Sequence, residues 1–464
     1  MSVYNLRYIA QIIVEADKPL NVSSGESDAL TDSLVMTDAN GLPMIPGTSL
    51  CGVLRHAFAE FNKEDDKNKG LEDKTESKIF GYQKENKNEG GGSKLIVSNA
   101  HFVGKNGKVI EGLQNIDWND KDFYSKFQEL PTRQHCKINE KGTTIKGGKF
   151  DEQVIYKGTR FKFELELIGN PDDKENWEEL LKLFNCETFR IGGGTRKGFG
   201  KLKIVSCIQK TFDLSSNLDE YLNKSSSLNE KIEGEIFEQK NDHINYTKYK
   251  LKLVPDDFYS FGSGFGDDDV DMTPVYEEVI EWENEKTPIF SKKKILIPAT
   301  SVKGAISHRV AFHFNKLNKV FADEIDDLES KTGENNDAVK ALFGCGKGSE
   351  ADDKGKRGNV IFSDVFIPNK NETKILNHVA IDRFTGGSID GALFDEKVIY
   401  QEDDIKFELL VKSDVLRGEN IEQALENTLK DICTGMLPLG GSVMRGHGCF
   451  SGEITKNGEK LCIK

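Results

Sequence analysis

Apolar and polar positions alternate over residues 4–14 in residue types that favour extended chain, and the pattern predicts a strand. The next periodic stretch has a helical period: Leu50, Val53, Leu54, Ala57, Phe58 and Phe61 recur at three- and four-residue spacing. Thr48 and Ser49 stand at its start, after Ile45-Pro46-Gly47, where a hydroxyl can cap free backbone N–H groups. Strands are expected over 94–100, 150–156 and 160–167. Asn170-Pro171-Asp172-Asp173 is a strong helix start, and Trp177, Leu180, Leu181 and Phe184 line one face of the helix it opens. A strand over 201–205 completes the order β-α-β-β-α-β of a ferredoxin-like domain. Polar stretches at 62–77, 83–93 and 131–149 interrupt that order and are expected to be insertions. The last carries Arg133, His135, Lys137, Lys141 and Lys146.

The same landmarks then return in the same order. Ile297-Pro298-Ala299-Thr300-Ser301-Val302-Lys303-Gly304 repeats the helix start at 45–52, with Val302, Ala305, Ile306, Val310 and Phe314 as its apolar stripe. Gly52 and Gly304 fall one turn inside, despite a helix-propensity cost of about 1 kcal/mol each. Phe150-Asp151-Glu152 is answered by Phe394-Asp395-Glu396, and the helix around Trp177 by one around Leu425 and Leu429. The glycine-rich loop at 192–200 is answered by 440–448. This ordered recurrence implies a duplicated domain: 1–211, a Ser-, Asn-, Glu- and Lys-rich connection at 212–245, and 246–464.

Composition limits the function classes. The 464 residues carry a formal net charge of −14, which argues against non-specific coating of nucleic acid but leaves room for a local basic groove. The eight cysteines lack CxxC spacing, so neither a zinc finger nor a disulfide framework is expected, and a reducing cytoplasm fits. No run is long and apolar enough to span a membrane, and no nucleotide-cofactor fingerprint is present. Basic residues cluster in and beside the glycine loops: Arg196, Lys197 and Lys201 in the first, Arg445 in the second. Gly192, Gly193, Gly194, Gly440 and Gly441 would let backbone N–H groups reach phosphate oxygens, though glycines equally suit a tight turn.

Together these features resemble the RAMP superfamily of CRISPR proteins, above all the backbone subunits of type III effector complexes, two of them fused in tandem. The residues that carry the resemblance are IPGTS and IPATS, the run Val-Ala-Ile-Asp-Arg-Phe-Thr-Gly-Gly at 379–387 leading to Leu393-Phe394-Asp395-Glu396, and the two glycine loops. The resemblance implies an α+β chain of two ferredoxin-like (RRM-like) domains, each with a β-hairpin thumb. It implies a CRISPR guide RNA, complementary target RNA and other type III effector subunits as partners. By position it places Thr48, Ser49 and Arg55 of the first domain, and Ser301 and Lys303 of the second, on the guide side.

Catalytic relatives cut target RNA with an aspartate in the loop after the first strand and require a divalent metal. Asp32 matches that position and is the candidate metal ligand, for Mg2+ or Mn2+. In the second domain Asp271 is preferred, because it precedes Met272-Thr273-Pro274 as Asp32 precedes its own extended stretch; Asp267, Asp268 and Asp269 are alternatives. A carboxylate there can deprotonate the target's 2′-hydroxyl or hold a metal. Two rival readings stay open: a non-cleaving structural backbone, and a guide-processing endoribonuclease, for which the histidines offer no convincing pair. Positive charge is expected along one groove formed by both glycine loops and both helix starts.

Overall fold

The computed structural model describes residues 4–63, 66–67, 69–84, 88–139, 141–238, 245–346, 355–400 and 404–462. The alternating strand Leu6–Ala16 forms the centre of the first sheet. It pairs antiparallel with Arg160–Gly169 on one side and Leu202–Asp213 on the other, and Leu95–Val97 extends the sheet beyond Arg160–Gly169. In chain order the four strands stand 4-1-3-2, the ferredoxin-like arrangement. One face of the central strand (Tyr8, Ala10, Ile12, Val14) shares a core with Leu50, Leu54 and Phe58 of the helix Gly47–Phe61. Trp177, Leu180 and Leu181 of the helix Lys174–Leu183 join the same core. The second sheet repeats the order. Tyr246–Pro255 lies between Ile405–Lys412 and Phe450–Lys456, with Val360–Ile361 outside. Ala299–Leu317 and Ile421–Cys433 cover it.

Each unit also projects a hairpin. The polar insertion at 131–149 forms most of one, Thr132–Ile138 against Thr144–Gln153. Its counterpart is Thr373–Ile381 against Ser388–Ile399. The strong helix start is present as expected: the Asn170 and Asp173 side chains form a reciprocal capping box.

Two local expectations change. Thr48 and Ser49 do not cap their helix; Pro46 occupies the cap position, and proline has no side-chain acceptor. The acceptor arrives from a distant strand end: Asn99 Oδ1 takes the Gly47 N–H at 2.9 Å, and Asp364 Oδ1 takes the Ala299 N–H at 2.8 Å. Nor is the described part of the connection, 212–238, bare. Glu235–Ile236 adds a strand beside Leu202–Asp213. Ile232 packs with Ile9 and Phe212 on the sheet face that the helices leave open. An open apolar face drives this: sparse hydrophobic residues in a polar stretch suffice to cover it.

The two units meet over a built junction. A hairpin that the first unit lacks, Ile280–Glu283 against Thr287–Phe290, lies on the base of the first unit. Phe290 enters a ring cluster with Phe123, Phe127 and Tyr156. Trp282 sits 4.0 Å from the Arg160 guanidinium and donates to the Gly158 carbonyl at 2.7 Å. Gly158 has φ of +91°, and a Cβ there would lie 2.0 Å from the Ile280 carbonyl, so only glycine fits. Deeper in, Arg133 is held between Glu277 (2.7 Å) and Asp364 (3.2 Å), all three buried.

Candidate nucleic-acid interface

Both candidate aspartates are exposed, and the same backbone group holds each of them. The Asp151 N–H donates to Asp32 Oδ2 at 2.9 Å, and the Asp395 N–H donates to Asp271 Oδ2 at 3.0 Å. Asp151 and Asp395 lie on the returning strands of the two thumbs. One further residue along, Ser33 and Met272 form matching parallel bridges to Glu152 and Glu396. Asp267 occupies the place of Asp28 instead. Both close a turn, accepting backbone N–H groups two and three residues ahead. Asp267 is further paired to Lys397 at 2.7 Å, and that ammonium together with the turn N–H groups lowers its pKa. Asp268 and Asp269 lie in that turn, exposed.

Behind each aspartate lies a carboxylate that the sequence flagged only as a repeat landmark. Glu152 lies 3.4 Å from His135 Nε2 and 3.2 Å from Lys197 Nζ. Burial pushes its pKa up, but His135 and Lys197 outweigh it and hold the carboxyl below the ordinary value. Glu396 is 3% exposed. It bonds His378 Nε2 at 2.7 Å and accepts from Ser442 Oγ at 2.9 Å. His135 and His378 stack on Phe150 and Phe394, each at 4.8 Å. Lys197 and Arg445 cover the same rings, at 4.4 and 4.9 Å. Lys197 and Arg445 of the glycine loops therefore belong to the thumb roots.

The glycine loops are tightly built. Gly192 and Gly440 have positive φ, and a Cβ on either would lie 2.3 or 2.4 Å from the carbonyl of Asn21 or Ser260. Gly193 and Gly441 donate their N–H groups to those carbonyls, at 2.6 and 2.7 Å, so these amides serve the fold. Gly194, also at positive φ, packs against Phe199.

The first loop does not meet its own helix start; it meets that of the second unit. Gly198 forms a bridge to Ser363, and a Cβ on it would lie 2.7 Å from Ala299 Cβ. Arg196 donates to the Gly358 carbonyl at 2.9 Å. Lys303 lies close to this loop: burial, then the Lys197 and Arg196 charges, hold its ammonium below the ordinary value. Arg196 is lowered by burial and then by Arg357. Crowded, partly desolvated cations gain most when a polyanion such as a phosphate backbone lies against them. The expected single groove is thus joined at one place, first loop to second helix start, while among the described residues the second loop and the first helix start have no corresponding contact. Ser301 is exposed, as is Thr48; Ser49 and Arg55 are half-buried, and Arg55 has no ion pair among the described residues. Gly52 and Gly304 are exposed with nothing within 4 Å of an added Cβ, so internal packing does not require them.

A divalent metal fits these sites only in part. Among the described residues no group of three or more His, Cys, Asp or Glu side chains is placed to hold one. Asp32 and Asp151 lie side by side, and Asp151 Oδ1 is buried without a hydrogen-bond partner. One or two carboxylates completed by phosphate oxygens and water suit Mg2+.

A model of the RAMP superfamily matches residues 13–203 and again 261–451. The chain belongs to the RAMP superfamily. It carries two RAMP units in tandem, and the matched ranges include both candidate aspartates, both helix starts and both glycine loops. Over 250 residues the chain is 28% identical to the CRISPR system Cms endoribonuclease Csm3 of Methanocaldococcus jannaschii, covering 50% of this RAMP chain and 93% of that protein. No helix of the described residues is long and apolar enough to cross a membrane.

Proposed function

We propose that this RAMP chain is a guide-RNA-binding backbone subunit of a cytoplasmic type III CRISPR effector, and that each unit cleaves complementary target RNA, through Asp32 and through Asp271. One observation carries the reading. Two aspartates 239 positions apart, in loops of dissimilar sequence, each receive a backbone N–H from the equivalent position of their own unit's thumb hairpin. Orientation of an exposed carboxylate by a thumb strand is what a cleavage site needs if the thumb opens the guide–target duplex. The similarity to a protein named as an endoribonuclease supports it.

The chemistry asks little of the protein. The aspartate takes the proton of the target's 2′-hydroxyl. The 2′-oxygen bonds to the adjacent phosphorus and the bond from phosphorus to the 5′-oxygen breaks. The products are a 2′,3′-cyclic phosphate and a 5′-hydroxyl, which gains a proton. Alignment of the 2′-oxygen with the departing 5′-oxygen supplies much of the acceleration. Asp32 with Asp151, and Asp271 with Asp395, are the groups that would hold Mg2+ or Mn2+. A bound ion would stabilise charge on the phosphate oxygens. Lys303, Arg196 and Arg357 would meet the guide's phosphates.

The test uses the complex assembled on its guide, with end-labelled complementary RNA and Mg2+. Asp32→Ala and Asp271→Ala should each abolish one defined product while RNA binding persists. Unchanged products in the double variant would make the chain a scaffold.

A further inference from the structure

The two aspartate loops share one backbone and differ in what they show to solvent. The Glu26 carbonyl accepts the Leu34 N–H, and the Phe265 carbonyl accepts the Thr273 N–H, both at 3.1 Å. Further in, the Asp28 N–H closes on the Thr31 carbonyl and the Asp267 N–H on the Val270 carbonyl. On the thumbs, Lys149 stands opposite Cys136 and Leu393 opposite Val379, one residue before the matching rings Phe150 and Phe394. These matches, with the bridges of Ser33 and Met272, pair Glu26 with Phe265, Ser33 with Met272 and Lys149 with Leu393. Asp32 therefore lies among polar and charged side chains. Asp271 lies among apolar ones that stay exposed: Phe265 at 63%, Leu393 at 68% and Met272 at 48%. The first loop exposes one large apolar side chain, Leu30, at the tip of its turn, where the second has Asp269.

Phe265 is exposed on a main chain that is not free to move. Its N–H donates to Ser263 Oγ at 3.1 Å. Its carbonyl accepts the Thr273 N–H and the hydroxyls of Ser263 and Thr273, the last two at 2.8 and 3.0 Å. The next residue, Gly266, runs so close to the outgoing strand that an added Cβ would lie 2.8 Å from the Asp271 carbonyl. A fixed backbone thus presents most of an aromatic ring beside the candidate catalytic carboxylate. Single exposed apolar residues are ordinary. Three around one carboxylate, each answered by a polar residue at the duplicate site, form a surface with a use. The first thumb also passes this loop: an added Cβ on Gly264 would lie 2.4 Å from Gln134 Oε1. A base unstacked by that thumb would come free beside the Phe265 ring.

We propose that Phe265 stacks on an unpaired base of the target RNA next to the phosphate cleaved at Asp271, with Met272 and Leu393 against the edge of that base, and that the first site works without such a stack. The inference deepens the proposed cleavage and rests on it. Every base offers a π-face, so the stack tolerates any sequence. By fixing one nucleotide it helps hold the 2′-oxygen in line with the departing 5′-oxygen, which makes Phe265 a positioning residue. At the first site the Glu26 carboxylate stands in its place, and it can only repel a phosphate backbone.

Two measurements on the effector assembled with its guide test it. In single-turnover cleavage, Phe265→Ala should slow the Asp271 product by about 5- to 100-fold, the usual worth of one stacked base, and leave the Asp32 product unchanged. Phe265→Trp should keep the rate and Phe265→Leu should not, which separates stacking from the filling of space. A target with an abasic residue beside the second cut should lose as much as Phe265→Ala does, and the two changes together should lose no more. An unaltered Asp271 product in Phe265→Ala, or losses that multiply when the two changes are combined, overturns the proposal. The second readout needs no cleavage. Targets carrying 5-iodouridine at each position in turn are irradiated in the Asp271→Ala complex, and one of them should form an adduct on Phe265. Absence of that adduct overturns the stack. The adduct together with no Asp271 product from the wild type would count against the catalytic reading alone.

Discussion

The two thumb roots share a backbone and differ in the charges behind it. In the first, Glu152 is balanced by the Lys197 ammonium and touches one imidazole. In the second, Glu396 has His378 at 2.7 Å, His447 at 3.9 Å and the Ser442 hydroxyl. The aspartate in front is held identically in both. Duplication has kept what the main chain does and let the supporting side chains drift. The second loop offers four acids within five residues; the sequence preferred Asp271 for the extended stretch that follows it, and the shared backbone contact pairs it with Asp32.

The comparison breaks most sharply at the aspartates. Asp32→Ala should lower the rate of its own product by about 10²–10⁴-fold, the usual contribution of a positioned general base, and leave the Asp271 product unchanged. Quantified cleavage ladders from one labelled RNA read both sites at once. Equal loss of both products would mean that the two sites are not independent.

The junction comes next. Arg133→Leu copies into the junction the residue at the matching position of the second thumb, Leu376, and leaves Glu277 and Asp364 buried without their cation. Breaking a buried pair this way costs about 3–5 kcal/mol. Chemical denaturation should show that loss, whereas Leu376→Arg at the half-buried equivalent in the second thumb should cost much less. Comparable losses in the two variants would remove the distinction between the junction position and its counterpart in the second thumb.

Smaller effects sharpen the helix starts. Gly52→Ala and Gly304→Ala should each stabilise the RNA-free chain by about 1 kcal/mol, because both glycines are exposed in helices with open space around them. Guide affinity should fall, since the added methyl stands where the backbone of RNA would approach. Raised stability with unchanged guide affinity would take these glycines out of the interface.

The smallest effect is a pH dependence at Lys18. Burial, only partly offset by Asp17, pushes its pKa down to about 8, from an ordinary 10.5. The folded chain thus releases this proton before the unfolded chain does. Its contribution is unfavourable below about pH 8 and is relieved as pH rises from there to about 10.5. Lys18→Met should flatten that rise in thermal midpoints measured across the window. No change would mean the ammonium is better solvated at the junction than its burial implies.

Much of the fold was legible from local pattern. Period-2 alternation over 4–14 and the 50–61 stripe depend on neighbours within a few residues, and the structure reproduces both. The capping box at Asn170 is local too. The repeat was legible because its landmarks keep their order, and Phe-Asp-Glu at 150–152 and 394–396 marked the strands that hold the aspartates. The polar hairpin at 132–153 was harder to see, because a solvated two-stranded projection lacks the one-sided apolar pattern that identifies a strand.

By itself the sequence determined two ferredoxin-like units and their helix faces, since these follow from short-range periodicity and a repeated order of residues. Tertiary structure alone decided the rest. Asn99 and Asp364 cap helices 52 and 65 positions away. Residues 212–238 cover a sheet face, and the first glycine loop serves the second helix start. Each of these depends on which buried polar group or open apolar face needs a partner, and that need exists only once distant segments have been brought together.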